Sequence, residues 1–268
     1  MEIQQKKHLL KEILNKHTPL LVAYSGGVDS SLLAALTQDI IGKGNMYCIL
    51  VNGPELPRRE YNAALKTADD LHLPLAVING NPLSDTLKRE NPRDRCWYCK
   101  RETYNILASA AKEHSCNFIA DGANASDLFE HRPGIDAFSS CGVIHPFIMA
   151  GMTKQDIRIV AKEMGFSFWN KPSSACLYSR IPYGEIITPD KLSEIEKGED
   201  FLIGLGFSQV RVRHHGTIAR IEILSSEIEL IISCREQIHR YFRQLGFTYV
   251  TLDLLGYRSG SLDEMLPS

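Results

Sequence analysis

Along the first stretch of the chain Ile3, Leu9, Leu10, Ile13 and Leu14 recur at roughly helical spacing, which predicts an amphipathic helix closed by Thr18-Pro19. A different pattern follows. Leu20-Leu21-Val22-Ala23-Tyr24 is a short unbroken apolar run, Ser25-Gly26-Gly27 interrupts it, and Ser30 to Leu36 resumes with good helix formers. Strand, loop and helix are the prediction. The alternation continues with Tyr47 to Val51, Leu75 to Ile78 and Phe118 to Ala120 as strands and Arg58 to Leu71 and Tyr104 to His114 as helices. Thr153 with Asp156 reads as a helix start ahead of Ile157 to Met164, where the carboxylate meets the free amides of the first turn.

Strands that are apolar throughout, separated by helices, predict an α/β fold: a parallel sheet covered by helices on both faces. Ligands of such sheets bind at the carboxyl ends of the strands. Beyond about Trp169 the character changes. A stretch rich in Pro, Ser and Gly leads to a tail in which Val210 to His214, Ile218 to Leu224 and Tyr249 to Leu255 alternate like strands around a helix, Glu227 to Leu245. The expected organisation is a domain over residues 1–170, a cysteine-bearing linker over 171–188 and a small α+β domain over 189–268. No internal repeat and no low-complexity tract is present.

Composition narrows the function classes. Lys and Arg total 30 against 32 Asp and Glu, so a formal net charge of −2 gives no bulk attraction for polyanions, and no nucleic-acid partner is expected. No apolar run approaches the ~18 residues of a membrane helix, and the start leads into an amphipathic pattern, not a signal-peptide core. A cytoplasmic location is the expectation. Seven cysteines without an export signal argue for thiols, metal ligands or catalysis over a disulfide framework.

The most informative segment is Ser25-Gly26-Gly27-Val28-Asp29-Ser30, between a predicted strand and a predicted helix. Two glycines let the backbone turn sharply and approach a ligand, and the N–H groups at the helix start favour an anion. Ser25 and Ser30 add hydroxyls, and Asp29 is placed to hold a Mg²⁺ bridging phosphates. No Gly-Lys-Ser/Thr closes the loop, so it is not a Walker A motif, and the Rossmann glycine spacing is also missing. The loop resembles the signature of the PP-loop ATP pyrophosphatases, which implies the adenine nucleotide alpha hydrolase-like fold and cleavage of ATP between its α and β phosphates. Their chemistry adenylates a substrate oxygen, releases pyrophosphate and lets a nitrogen or sulfur nucleophile displace AMP. Asp121-Gly122-Ala123-Asn124, with Asp127 close behind, fits the superfamily's second nucleotide-contacting turn, Gly122 giving close backbone access; a plain turn and helix cap reads equally well from the residues alone.

Cys96-Trp97-Tyr98-Cys99 has the spacer that lets both sulfurs reach one metal or cluster, and Cys176 lies in the Ser/Pro-rich crossing. Three thiolates with an open position suit an iron–sulfur cluster; a zinc site and a redox pair remain open on spacing alone. Cys48, Cys116 and Cys234 sit in or beside regular elements, where cysteine is most often a small apolar residue, and Cys141 is undecided.

Lys171-Pro172-Ser173-Ser174-Ala175-Cys176-Leu177-Tyr178-Ser179-Arg180-Ile181-Pro182-Tyr183-Gly184 narrows the resemblance. With the phosphate loop, Arg95 to Lys100, the Arg132-Pro133-Gly134 turn and Arg211-Val212-Arg213, it resembles the LarE family of ATP-dependent sulfur transferases across nearly the whole chain. That resemblance implies conversion of the two carboxylates of a pyridinium mononucleotide to thiocarboxylates, for the nickel-pincer nucleotide of lactate racemase. It also implies a homo-oligomer, a hexamer by likeness. In the one-cysteine version the residue matching Cys176 surrenders its own sulfur and becomes dehydroalanine. The presence of Cys96 and Cys99 favours instead the version holding a 4Fe-4S cluster on three cysteines, with free sulfide or a cysteine desulfurase as the sulfur source.

Arg211 and Arg213 alternate along a predicted strand, so they share a side on which two guanidinium forks suit a phosphate. Arg258 and Glu199, like Ser179, match positions the family uses near the substrate. Arg180, four residues past Cys176, is a candidate to neutralise the α-phosphate or favour the thiolate. Trp97 suits stacking on a pyridinium as well as plain packing. The rivals are another PP-loop enzyme, a tRNA thiolase or an ammonia-dependent synthetase, and a non-catalytic ATP-binding module.

Overall fold

The computed structural model describes residues 2–129, 133–172, 175–258, 260–262 and 264. In chain order the elements are α1 (Ile3–Lys16), β1 (Leu20–Ala23), α2 (Val28–Ile41), β2 (Met46–Asn52), α3 (Arg58–Asp70), β3 (Leu75–Asn79), α4 (Thr86–Arg89), α5 (Arg95–Glu113), β4 (Phe118–Ala120), α6 (Pro133–Ser140), α7 (Pro146–Met149), α8 (Lys154–Glu163), α9 (Pro189–Gly204), β5 (Arg211–His215), β6 (Ile218–Glu222), α10 (Ile228–Ser233), α11 (Arg235–Gln244) and β7 (Tyr249–Leu252). None of the described helices is long and apolar enough to cross a membrane.

The chain divides into two compact units, residues 1–82 with 94–174 and residues 83–93 with 175–268. Where the sequence places 1–170 together, residues 83–93 pack with the second unit instead. A short polar segment carries no apolar periodicity that would reveal which core it joins.

The first unit is built on a four-stranded sheet in the order β3-β2-β1-β4, every pairing parallel. Strand alternation sorts its apolar side chains onto two faces. Leu20, Val22, Cys48 and Leu50 pack with α1, α2 and α8 residues such as Leu14, Leu32 and Val160. Leu21 and Ile49 face the other way, against Leu107, Ala110 and Phe138 of α5 and α6. Both faces are covered, which is why the strands read as continuous apolar runs. Helix α8 starts in a capping box: the Thr153 side chain accepts from the Asp156 N–H while Asp156 accepts from Thr153.

The second unit is a three-stranded sheet, β5-β6-β7, antiparallel between β5 and β6 and parallel between β6 and β7. Val212, Ala219, Ile221, Phe242 and Phe247 form its core with Leu202 of α9.

Some elements differ from the sequence pattern. Helix α5 begins at Arg95, nine residues ahead of the Tyr104 start expected from its apolar face, because its first turns are polar. The single helix expected over Glu227 to Leu245 is two, separated at Cys234; the Ser233 hydroxyl donates to the Leu230 carbonyl there, competing with the helical ladder. Helix α9 has no counterpart in the expected tail, although Thr188 caps it and Pro189 occupies its first position, both readable as start signals. Of the Arg132-Pro133-Gly134 stretch expected as a turn, Arg132 lies outside the described residues and Pro133 opens α6. Ser173 and Ser174 of the cysteine-bearing segment also lie outside them.

Candidate functional site

The phosphate loop joins β1 to α2 at the carboxyl edge of the first unit's sheet. Gly26 has φ +71°, a left-handed conformation, and a Cβ there would lie 2.3 Å from Ala64 Cβ, so only glycine fits. Gly27 caps α2 without a side-chain hydrogen bond, leaving the first amides of a 14-residue helix to an anion. Ser25 and Ser30 meet hydroxyl to hydroxyl at 3.0 Å, and the Ser25 N–H donates to Ser30 Oγ at 3.2 Å. Both hydroxyls therefore line one loop. Val28 and Asp29 follow in the first turn of α2.

The second turn is pressed against this loop. A Cβ on Gly122 would lie 2.7 Å from the Ser30 nitrogen and 3.0 Å from the Asp29 carbonyl carbon, so any side chain would displace the helix start. The turn is self-braced: Asp127 accepts from the Asn124 N–H at 3.0 Å, and Asn124 Oδ1 accepts from the Ser126 N–H at 3.0 Å. It leads into a 3-10 helix over Ala125–Phe129.

The loop's missing lysine comes from elsewhere in the chain. Lys171 donates to the Gly26 carbonyl at 3.0 Å and pairs with Glu60 of α3 at 2.9 Å. Arg158 fixes the segment that carries it, donating to the Lys171 carbonyl at 2.9 Å. No local signal predicts this contact, because loop and lysine are far apart along the chain.

Cys96 and Cys99 stand three residues apart in the first turns of α5, so their side chains share a helix face. Cys96 is exposed and Cys99 half-buried, and none of the seven cysteines is in a disulfide. Accessible thiols at this spacing suit two ligands of a soft metal cluster. Among the described residues, no group of three or more His, Cys, Asp or Glu side chains is gathered to hold an ion. The Trp97 ring is covered by Arg101 at 4.7 Å, so one of its faces already holds a cation. Cys48 is fully buried, and burial pushes its thiol up to about 12, which marks it as a packing residue.

In the second unit Cys176 is exposed, on a backbone gripped by Arg180. One Arg180 nitrogen donates to the Ala175 carbonyl at 2.9 Å, the Cys176 carbonyl at 3.1 Å and Ser179 Oγ at 2.9 Å. The other two engage Glu199 bidentately at 2.8 and 3.1 Å. Arg180 and Glu199 are both fully buried. Burial alone would raise the Glu199 carboxyl, but Arg180, the Arg211 charge and the Val212 N–H outweigh it and hold the carboxyl below its usual range. Arg180, the candidate to neutralise the α-phosphate or favour the thiolate, is held by Glu199 and fixes the cysteine's backbone.

Arg211 and Arg213 lie on β5, both buried. Arg213 pairs bidentately with Glu222 at 3.0 and 2.8 Å and donates to the Ser179 carbonyl and Ser261 Oγ. Arg211 lies over the Tyr257 ring and is pushed down to about 10, first by burial and then by the Arg180 charge. A buried guanidinium so disfavoured gains most from an added anion. Arg258 is held instead by Asp253 and Glu264.

A family model described as NAD synthase matches residues 2–108. The pyridinium-3,5-bisthiocarboxylic acid mononucleotide synthase of Lactiplantibacillus plantarum is 34% identical over 97% of this chain and 95% of its own length. An uncharacterized protein of Synechocystis is 35% identical over 98% of this chain and 99% of its own. The GMP synthase of Thermotoga petrophila is 28% identical over 48% of this chain and 26% of its own, a likeness of part only.

Proposed function

Because the chain belongs to the family of pyridinium-3,5-bisthiocarboxylic acid mononucleotide synthase, we propose that it converts the carboxylates of pyridinium-3,5-biscarboxylic acid mononucleotide to thiocarboxylates at the expense of ATP. The single observation that carries this is the glycine-built cradle of Ser25 to Ser30 against Gly122. A substrate carboxylate oxygen attacks the α-phosphorus of ATP, the bond to the bridging oxygen breaks, and pyrophosphate leaves as the acyl-adenylate forms. The α2 amides, Ser25, Ser30 and Lys171 meet the phosphate charge, and Asp29 would hold the Mg²⁺. In the sacrificial route the Cys176 thiolate then attacks the activated carbonyl carbon and AMP departs. Arg211 and Arg213, with Ser179, bind the substrate phosphate, Trp97 stacks on the pyridinium, and Arg258 and Glu199 support that site.

Two sulfur sources follow from the thiols. Cys96, Cys99 and Cys176 would hold a 4Fe-4S cluster, which when bound supplies a renewable sulfur carrier fed by sulfide or a desulfurase. Alternatively, the Cβ–S bond of Cys176 breaks with loss of its Cα proton, leaving dehydroalanine and the thiocarboxylate. The exposure of Cys176 leaves its sulfur accessible for that transfer.

The deciding experiment incubates the anaerobically purified protein with ATP and the dicarboxylated pyridinium nucleotide. Pyrophosphate and a thiocarboxylate product are expected by mass spectrometry, with Cys176→Ser abolishing the thiocarboxylate while pyrophosphate release persists. Thiocarboxylate at the normal rate from Cys176→Ser rejects the assignment. Iron and acid-labile sulfide that vanish in Cys96→Ser identify the cluster route, and dehydroalanine at position 176 after turnover identifies the sacrificial route.

A further inference from the structure

A hydrogen-bonded chain of side chains stands beside the phosphate loop, and none of the steps above uses it. Asp121 follows β4, and His145 follows Ile144, which forms a parallel bridge with Ala120. Both therefore sit just beyond the carboxyl end of β4, at the ligand-binding edge of the parallel sheet. Asp121 Oδ1 contacts His145 Nδ1 at 2.6 Å and accepts from the Ala123 N–H at 3.1 Å. An ionised carboxylate only accepts, so the imidazole proton is on Nδ1. The far nitrogen, Nε2, meets Ser139 Oγ at 2.9 Å. The imidazole is thus oriented from both ends, with the Asp121 and His145 side chains only 13% and 11% exposed.

What this chain orients is the second turn. The Asp121 N–H donates to the Ile144 carbonyl at 3.2 Å, so backbone and side chain of Asp121 are both tied to residues 144–145. The next residue is Gly122, whose Cα has no room to move toward Ser30 and Asp29. A small rotation of Asp121 is therefore transmitted to the start of α2. The same turn carries a second, independent sign of a ligand: Asn124 is fully buried and its Nδ2 has no hydrogen-bond acceptor, while its Oδ1 is taken by Ser126. A buried donor without an acceptor is costly, and an oxygen of a bound nucleotide relieves that cost.

We propose that His145, braced by Ser139, is a positioning residue for the adenine nucleotide: through Asp121 it holds the 121–124 turn against the phosphate loop in the conformation that ATP binds. This rests on the ATP-binding part of the proposed function and is independent of the sulfur route.

The test compares full-length wild type, His145→Ala, His145→Phe and His145→Asn, measuring α,β-methylene-ATP binding by calorimetry, ATP-dependent pyrophosphate release and the thermal unfolding midpoint. His145→Ala should weaken the analogue and raise the ATP KM about tenfold, the scale of one charge-assisted hydrogen bond, with kcat at saturating ATP little changed. His145→Asn, whose amide nitrogen falls near the Nδ1 position, should recover most of the affinity. His145→Phe keeps a ring without the donor and should behave as the alanine variant, and it carries the test if His145→Ala does not fold. A merely structural role would lower the unfolding midpoint and the active fraction without moving KM or distinguishing Asn from Phe. Wild-type affinity in both His145→Ala and His145→Phe overturns the proposal while leaving the ATP site standing. A wild-type protein that does not bind the analogue overturns both.

Discussion

The two regions proposed to meet anions in this protein are built on opposite principles. The phosphate loop of the first unit relies on backbone: glycines at Gly26 and Gly122, uncapped amides of α2 and two hydroxyls. The arginine cluster of the second unit relies on side-chain charge. Arg180 and Arg213 are neutralised by Glu199 and Glu222, and Arg211 sits among them with its proton affinity lowered. A backbone cradle presents fixed dipoles that carry no net charge to bury. A cluster of buried guanidiniums must be balanced by carboxylates before any ligand arrives, because an uncompensated buried charge is expensive. The first region is therefore sensitive to added volume, the second to lost charge.

The sharpest way to break this contrast is to remove one carboxylate. Glu199→Ala leaves Arg180 buried without its partner and should cost about 3–5 kcal/mol of stability, read as a lowered urea midpoint. A change under about 1 kcal/mol would mean that water enters and solvates Arg180. In the loop, Gly26→Ala meets both a left-handed φ and the Ala64 overlap, and should cost about 1–3 kcal/mol while nearly abolishing pyrophosphate release. Gly122→Ala should act with less effect on stability, lowering ATP-dependent turnover about a hundredfold by displacing the start of α2. Normal turnover there would show that the two turns separate freely.

Lys171→Ala removes a side-chain cation from a cradle otherwise made of backbone, so it tests how far dipoles alone suffice. A roughly tenfold loss of pyrophosphate release is expected, and Lys171→Arg should restore part of it. The smallest effect concerns pH. Since the folded protein holds the Glu199 carboxyl below the ordinary glutamate value of 4.5, it contributes stability above about pH 4.5 that is lost as pH falls through the lower folded value. Urea midpoints measured from pH 6 down to pH 3.5 should fall, and that part of the fall should be missing in Glu199→Gln.

The alternation of apolar strands and helices made the parallel sheet legible, because both faces of β1 and β2 are buried and no polar alternation blurs the pattern. The strand-loop-helix geometry around Ser25 to Ser30 was equally legible, because the segment itself contains the glycines that make the turn. Helix α5 starts ahead of its apolar face and residues 83–93 join the second unit for a common reason: segments without apolar periodicity acquire structure from what they pack against.

By itself the sequence determined the apolar strands of the parallel sheet, the glycine- and serine-bearing loop of Ser25 to Ser30, the spacing of Cys96 and Cys99, and the family. Tertiary structure alone decided which charges meet. Nothing in the spacing of Arg180 and Glu199, of Lys171 and Gly26, or of Asp121, His145 and Ser139 foretells their contacts. The physical reason is range: strand, turn and helix signals act between near neighbours in the chain, whereas an ion pair or hydrogen bond acts between neighbours in space, and only the packed fold supplies those.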